Sequence, residues 1–171
     1  MTHLVLVGMM GSGKTTVGTR LAERLRRDLV DSDAVIEATT GKTVREIFLD
    51  DGEEAFRTLE TAALVGALAA DEPVVVAAAG GVVLREENRR ALLDADALVV
   101  WLRADPALLA ERVGSATHRP LLDGDPAGTL QRMFVDRAPL YREVADTVID
   151  VDDRTVDDVV DAVLAALDRA P

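Results

Sequence analysis

The chain has 171 residues, 49% of them hydrophobic and 29% charged, which fits one folded domain and argues against disorder. Its 31 acidic and 19 basic side chains leave a formal net charge of -12, a poor surface for gripping a nucleic-acid backbone. There is no cysteine, hence no disulfide, thiolate metal site or cysteine nucleophile, and the two histidines (His3 and His118) lie too far apart in sequence to suggest a histidine-rich zinc site.

Residues 3–7 (HLVLV) form a short apolar run ended by Gly8, which predicts a buried strand. A basic start and a long apolar stretch, the marks of a secretory leader, are missing there. The longest apolar run, 74–84, is too short to span a bilayer, which takes about 20 residues. A cytoplasmic protein without a membrane segment is therefore expected.

Residues 14–27 have helical spacing, with Val17, Leu21 and Leu25 four apart, and 28–31 predict a second short strand. Thr43-Val44-Arg45-Glu46 has the capping-box pattern and opens a short helix. A helix is predicted over 53–70 with Phe56, Leu59, Ala63 and Leu64 on one face. Then come a strand at 74–79, a helix at 86–93 and a strand at 97–102.

Asp105-Pro106 and Asp125-Pro126 each pair an N-cap with a proline at the first helical position, so each opens a helix. Residues 147–149 predict a last strand. A closing helix carries Val156, Val159, Val160, Val163, Leu164 and Leu167 as its apolar stripe, with Asp157, Asp158 and Asp161 facing water. Fully apolar strands alternating with helices argue for a parallel sheet covered on both faces. The polar stretch 114–125 is too long for a simple turn and has the character of a lid. No exposed apolar stripe demands a partner, so a monomer is expected.

Residues 8–15 (GMMGSGKT) fit the phosphate loop G-x-x-x-x-G-K-[ST] completely, between a predicted strand and a predicted helix. Gly8, Gly11 and Gly13 let backbone amides turn inward without a Cβ in the way. Those amides and the helix N-terminus cradle an anion. Lys14 reaches the β- and γ-phosphates, and the Thr15 hydroxyl is offered to Mg²⁺.

A phosphate loop names a nucleotide, not a reaction. The strands at 74–79 and 97–102 end in Gly80-Gly81 and Arg103, so neither supplies a Mg²⁺-linked acid. The acids follow the second strand instead, in Asp31-Ser32-Asp33. On an extended chain both carboxylates point to one side, toward the crevice at the carboxyl end of the sheet. One could serve Mg²⁺ and the other orient an acceptor hydroxyl; an Asp-rich turn with helix caps is the plainer alternative. Arg57, Arg119 and Arg137 lie in segments that could face the crevice, where guanidinium grips a carboxylate bidentately. Glu60, three residues after Arg57, could hold that side chain in place.

Together these residues resemble the shikimate kinase family over nearly the whole chain. The resemblance rests on the phosphate loop, Asp31-Ser32-Asp33, Phe56-Arg57-Thr58-Leu59-Glu60, Gly80-Gly81, Arg119-Pro120-Leu121-Leu122 and Arg137-Ala138-Pro139-Leu140-Tyr141, in that order. It implies a three-layer α/β/α fold of the phosphate-loop NTPase type, with a five-stranded parallel sheet and the phosphate-loop strand inside it. One kinase domain, 1–171, would contain a substrate-binding segment at 31–60 and a lid at 112–125.

The implied activity is ATP- and Mg²⁺-dependent phosphorylation of the shikimate 3-hydroxyl, in aromatic amino-acid biosynthesis. The resemblance makes Lys14, Asp33 and Arg119 catalytic, with Asp33 on the acceptor hydroxyl and Arg119 reaching the phosphates from the lid. Gly11, Ser12, Gly13, Lys14, Thr15, Thr16, Arg112 and Arg119 would hold ATP, with Arg112 beside the adenine. Asp31 and Thr15 would serve Mg²⁺. Asp33, Gly80, Gly81, Arg57 and Arg137 would bind shikimate, the two arginines clamping its carboxylate. Phe48 and Phe56 either wall that pocket or simply pack the core.

One position departs from the family pattern, whose turn usually has three glycines: here the first is Ala79. Alanine is strained there if φ is positive, and changes nothing if φ is ordinary. Two other readings remain: a related kinase for another hydroxylated acid such as gluconate, and a nucleotide-dependent switch with no small acceptor.

Overall fold

The strands predicted from apolar runs pair side by side in a computed structural model that describes residues 2–113 and 124–170. Five parallel strands, β1 (His3–Val7), β2 (Leu29–Asp31), β3 (Val75–Ala77), β4 (Ala97–Arg103) and β5 (Thr147–Asp150), take the order β2-β3-β1-β4-β5. The phosphate-loop strand β1 is central, with Val5 opposite Val76 on one side and Val99 on the other. Leu4 to Val7 and Val99 to Leu102 are buried because helices cover both faces, which is why these strands read as unbroken apolar runs.

β3 is shorter than the predicted 74–79. Ala78 still donates to the Leu6 carbonyl, but the chain then leaves the sheet and enters a 3₁₀ turn at Val82–Leu84. The buried Asn88 amide donates to the Val82 carbonyl at 2.9 Å and anchors that turn. Asn88→Ala leaves a carbonyl of a fully buried residue without this partner, so unfolding stability falls by about 1–3 kcal/mol. A urea-unfolding midpoint checks this; an unchanged midpoint would mean that the turn is held without Asn88.

The helices are α1 (Lys14–Leu25), α2 (Ser32–Thr40), α3 (Val44–Asp50), α4 (Glu53–Leu68), α5 (Glu86–Asp94), α6 (Pro106–Val113), α7 (Pro126–Val144) and α8 (Val156–Leu167). α1 stops two residues early because Arg26 turns left-handed (φ 53°) and its N–H returns to the Ala22 and Glu23 carbonyls. Both expected Asp-Pro helix starts form: Asp105 accepts from the Ala107 N–H, and Asp125 from the Gly128 N–H. The Thr43–Glu46 capping box forms, and a second one, Thr155 with Asp158, opens α8. Asp157, Asp158 and Asp161 face solvent as expected, but so does Val156, which sits in the first turn outside the buried stripe.

α2 is the element that sequence periodicity does not predict. It has two adjacent threonines and two β-branched apolar residues, Val35 and Ile36, of which only Ile36 is buried. Asp31 caps it, accepting from the Ala34 N–H, and Gly41 ends it at φ 68°. Ile36 joins Ile47, Phe56 and Ala63 in a small hydrophobic cluster separate from the core around the sheet. α4 spans the two, sending Phe56 and Ala63 to the small cluster and Leu64 and Ala67 to the large one. No described helix is long and apolar enough to cross a membrane.

Candidate active site

Two adjoining hollows open at the carboxyl end of the sheet. The first is built on the turn between β1 and α1. Gly8, Gly11 and Gly13 all have positive φ there, and a Cβ on Gly8 would stand 2.6 Å from the Leu102 carbonyl oxygen. Lys14 donates to the Gly8 and Met9 carbonyls at 2.8 and 2.9 Å, so its ammonium crosses the loop. Gly11, Gly13, Lys14, Thr15 and Thr16 line this hollow together with Asp31 and Asp33. Ser12 is buried inside the loop and its hydroxyl makes no hydrogen bond among the described residues. Arg112, from the end of α6, donates to the Gly11 carbonyl at 3.2 Å, which brings it against the loop. Arg119, and with it most of the expected lid, lies outside the described residues.

Asp31 and Asp33 reach the crevice by a different route from the one their spacing suggested. The chain is not extended through them: Asp31 ends β2 and Asp33 lies in the first turn of α2. Asp31 has two tasks, one for each oxygen. Oδ1 caps α2, and Oδ2 accepts from the Thr15 hydroxyl at 2.5 Å. Asp31 is thus the helix cap of the plainer reading, and its other oxygen lies against Thr15, the residue with which it was expected to serve Mg²⁺. Its neighbour Asp33 lines both hollows.

The second hollow lies between α2, α4, α7 and the Ala79-Gly80-Gly81 turn. Arg57 and Arg137 are each only 6% exposed, an unusual burial for arginine that demands nearby acceptors. Arg57 donates to both oxygens of Glu60 at 3.2 and 3.1 Å and to Glu53 at 3.0 Å. Glu60 is 1% exposed. Burial pushes its carboxyl above the usual range, against the pull of the Arg57 and Arg137 guanidiniums. Two buried guanidiniums thus face one buried carboxylate, and the half-exposed Glu53 adds little inside the hollow. In a protein of net charge -12, two buried guanidiniums stand together in this hollow, where a ligand carboxylate would find them.

Gly81 lies against Arg57, and a Cβ there would fall 1.9 Å from Nη1. Gly80 sits between the hollows, lining both, with its carbonyl accepting from the buried Tyr141 hydroxyl. Ala79 is not among the described residues with positive φ, so its methyl group introduces no backbone strain. Phe48 and Phe56 do both of the things their sequence allowed. Their rings meet at 4.7 Å, Phe56 packs in the small cluster, and both wall the second hollow.

Sequence reasoning gave no role to Tyr141 or to Met10, which lines both hollows. For Tyr141 a signal existed: it stands four residues after Arg137, on the same face of α7. For Met10 there was none, since its position in the loop is one that any residue may fill.

Among the described residues, no three His, Asp or Glu side chains gather as a metal cage. The hydroxyl–carboxylate pair of Thr15 and Asp31 is instead a hard-oxygen site of the kind Mg²⁺ uses when phosphates and water complete its shell.

A family model described as shikimate kinase matches residues 10–168. The chain is 47% identical over 168 residues to a shikimate kinase of Symbiobacterium thermophilum, covering 96% of this chain and 95% of that one. It superposes on the shikimate kinase of Acinetobacter baumannii in complex with shikimate with a TM-score of 0.92 and 37% identity, covering 98% and 93% of the two chains. A gluconokinase from Sinorhizobium meliloti matches at TM-score 0.60 and 24% identity, covering 98% of this chain and 92% of that one, a likeness of fold alone.

Proposed function

The chain belongs to the shikimate kinase family and is an ATP-dependent kinase of shikimate; from that premise we propose how its residues divide the reaction. The observation that carries the division is the pair of adjoining hollows, which share Asp33 and Gly80. The glycine-rich loop, with Lys14, Thr15 and Thr16, binds the ATP phosphates, and Arg112 borders the nucleotide. Arg57 and Arg137 clamp the shikimate carboxylate. With the acid fixed at that end of the ring, Asp33 meets the 3-hydroxyl on the side facing the phosphate loop. We take residues 1–171 as one kinase domain, with 31–60 as its substrate-binding segment.

Phosphoryl transfer depends on alignment and on charge stabilisation more than on covalent chemistry. Lys14 supplies positive charge at the transferring group. Asp33 orients the acceptor hydroxyl along the line of attack and accepts its proton as the new P–O bond forms. Thr15 and Asp31 are the residues that would hold Mg²⁺, which when bound draws charge off the phosphate oxygens. Phe48 and Phe56 keep one wall of the acceptor hollow apolar and limit its water.

ADP release tests the assignment of substrate. With ATP and Mg²⁺, release is expected to require shikimate and to stay at background when shikimate is omitted or replaced by gluconate. Shikimate-dependent release would also show that Ala79 is tolerated. Equal release with gluconate would overturn the specificity, and release independent of any acid would overturn the acceptor site.

A further inference from the structure

The single tyrosine of the chain has no part in the roles above, although it is fully buried and hydrogen-bonded to Gly80, which lines both hollows. Its hydroxyl donates to the Gly80 carbonyl at 2.5 Å. Its ring stacks on Trp101 of β4, with centroids 5.5 Å apart and planes at 28°. The Arg137 guanidinium, one helical turn back on α7, comes within 3.7 Å of where a Cβ on Gly80 would be, and its charge acts on the same hydroxyl. Tyr141 therefore ties the sheet, through its ring, to the glycine turn, through its hydroxyl proton, with the Arg137 guanidinium beside that turn.

We propose that Tyr141 is a positioning residue for the acid clamp, its hydroxyl setting the Gly80 turn and the Arg137 guanidinium in one arrangement so that shikimate meets both at once. The proposal rests on Arg137 binding the substrate carboxylate. Burial pushes the phenol up to about 12, the Arg137 guanidinium pulling the other way, so the proton that Gly80 receives stays in place at working pH. A neutral, ring-stacked hydroxyl suits this task. It has few degrees of freedom, and it steers the guanidinium without neutralising the charge that the substrate needs.

Tyr141→Phe keeps the ring and its stacking on Trp101 while removing the link. The expected result is a rise in the shikimate KM of about tenfold, with kcat and the ATP KM within about twofold of the wild type. Arg137→Ala raises the same KM. In that background Tyr141→Phe adds less than about twofold, because the group it steers is gone. Two penalties that multiply in full would mean that Tyr141 acts on the fold alone, and would overturn the proposal. So would an unchanged KM in Tyr141→Phe beside a raised one in Arg137→Ala. An unchanged KM in Arg137→Ala would overturn the clamp itself, and the proposal with it.

A second measurement needs no substitution. Because Tyr141 is the only tyrosine, protein grown with 3-fluorotyrosine carries one ¹⁹F resonance. That resonance is expected to shift on titration with shikimate. A resonance unmoved at saturating shikimate would overturn the coupling.

Discussion

Asp33→Asn is expected to lower turnover on the order of 100- to 10,000-fold while the protein still binds ATP with unchanged affinity. The carboxylate lines both hollows, so it stands where they meet. Its place in the first turn of α2 favours negative charge through the helix dipole. Asparagine keeps the shape and one acceptor oxygen but loses the charge and the ability to take a proton. If alignment is the larger part of the task, the loss falls at the low end of that range; if proton acceptance matters more, it falls at the high end. Steady-state kcat measured beside equilibrium ATP binding separates the two hollows. Turnover within about threefold of the wild type would take Asp33 out of the chemistry.

Gly81→Ala should damage acceptor binding. The Gly81 backbone (φ -87°, ψ 0°) suits alanine, so no torsional strain arises. The obstacle is Arg57, whose Nη1, Cζ and Nη2 would lie 1.9, 2.5 and 2.9 Å from the new methyl carbon. An exposed arginine would swing aside at little cost. This one is 6% exposed and is held by Glu60 on one nitrogen and Glu53 on the other. Moving it breaks an ion pair and carries the guanidinium away from the carboxylate it should grip.

The shikimate KM is expected to rise at least tenfold, equivalent to about 1.4 kcal/mol, and stability to fall by about 1–3 kcal/mol from overpacking. A methyl carbon on Gly80 would meet nothing nearer than the Met10 nitrogen at 3.4 Å, so Gly80→Ala leaves Arg57 in place. Initial rates against shikimate at saturating ATP decide it. A KM unchanged in Gly81→Ala would show that Arg57 binds no substrate from this position.

The phosphate loop was legible in the sequence because all of its physics is local: strand, glycines, lysine, threonine and helix follow one another without interruption. The Arg57–Glu60 pair was legible for a similar reason, since helical spacing alone brings the two side chains together. α2 was not, because its helix depends on the Asp31 cap and on Ile36 packing beneath α4, and both are weak in a window of nine residues. The same blind spot misplaced Asp33 on an extended chain, although it reached the expected crevice. The spacing of Tyr141 from Arg137 was legible, but its hydroxyl partner was not: that carbonyl lies 61 residues earlier, and no periodicity joins α7 to the turn after β3. The question of Ala79 turned on one torsion angle, which composition cannot supply.

The small cluster of Ile36, Ile47, Phe56 and Ala63 gives the acceptor side a foundation of its own, joined to the sheet through α4. Natural variation can therefore act on the two halves unequally. Exchanges among these four apolar residues would re-aim Asp33 and reshape the wall of the second hollow, while the glycine-rich loop stays anchored on β1 and α1. Such an arrangement allows new acceptors to be tried within an inherited phosphoryl donor site.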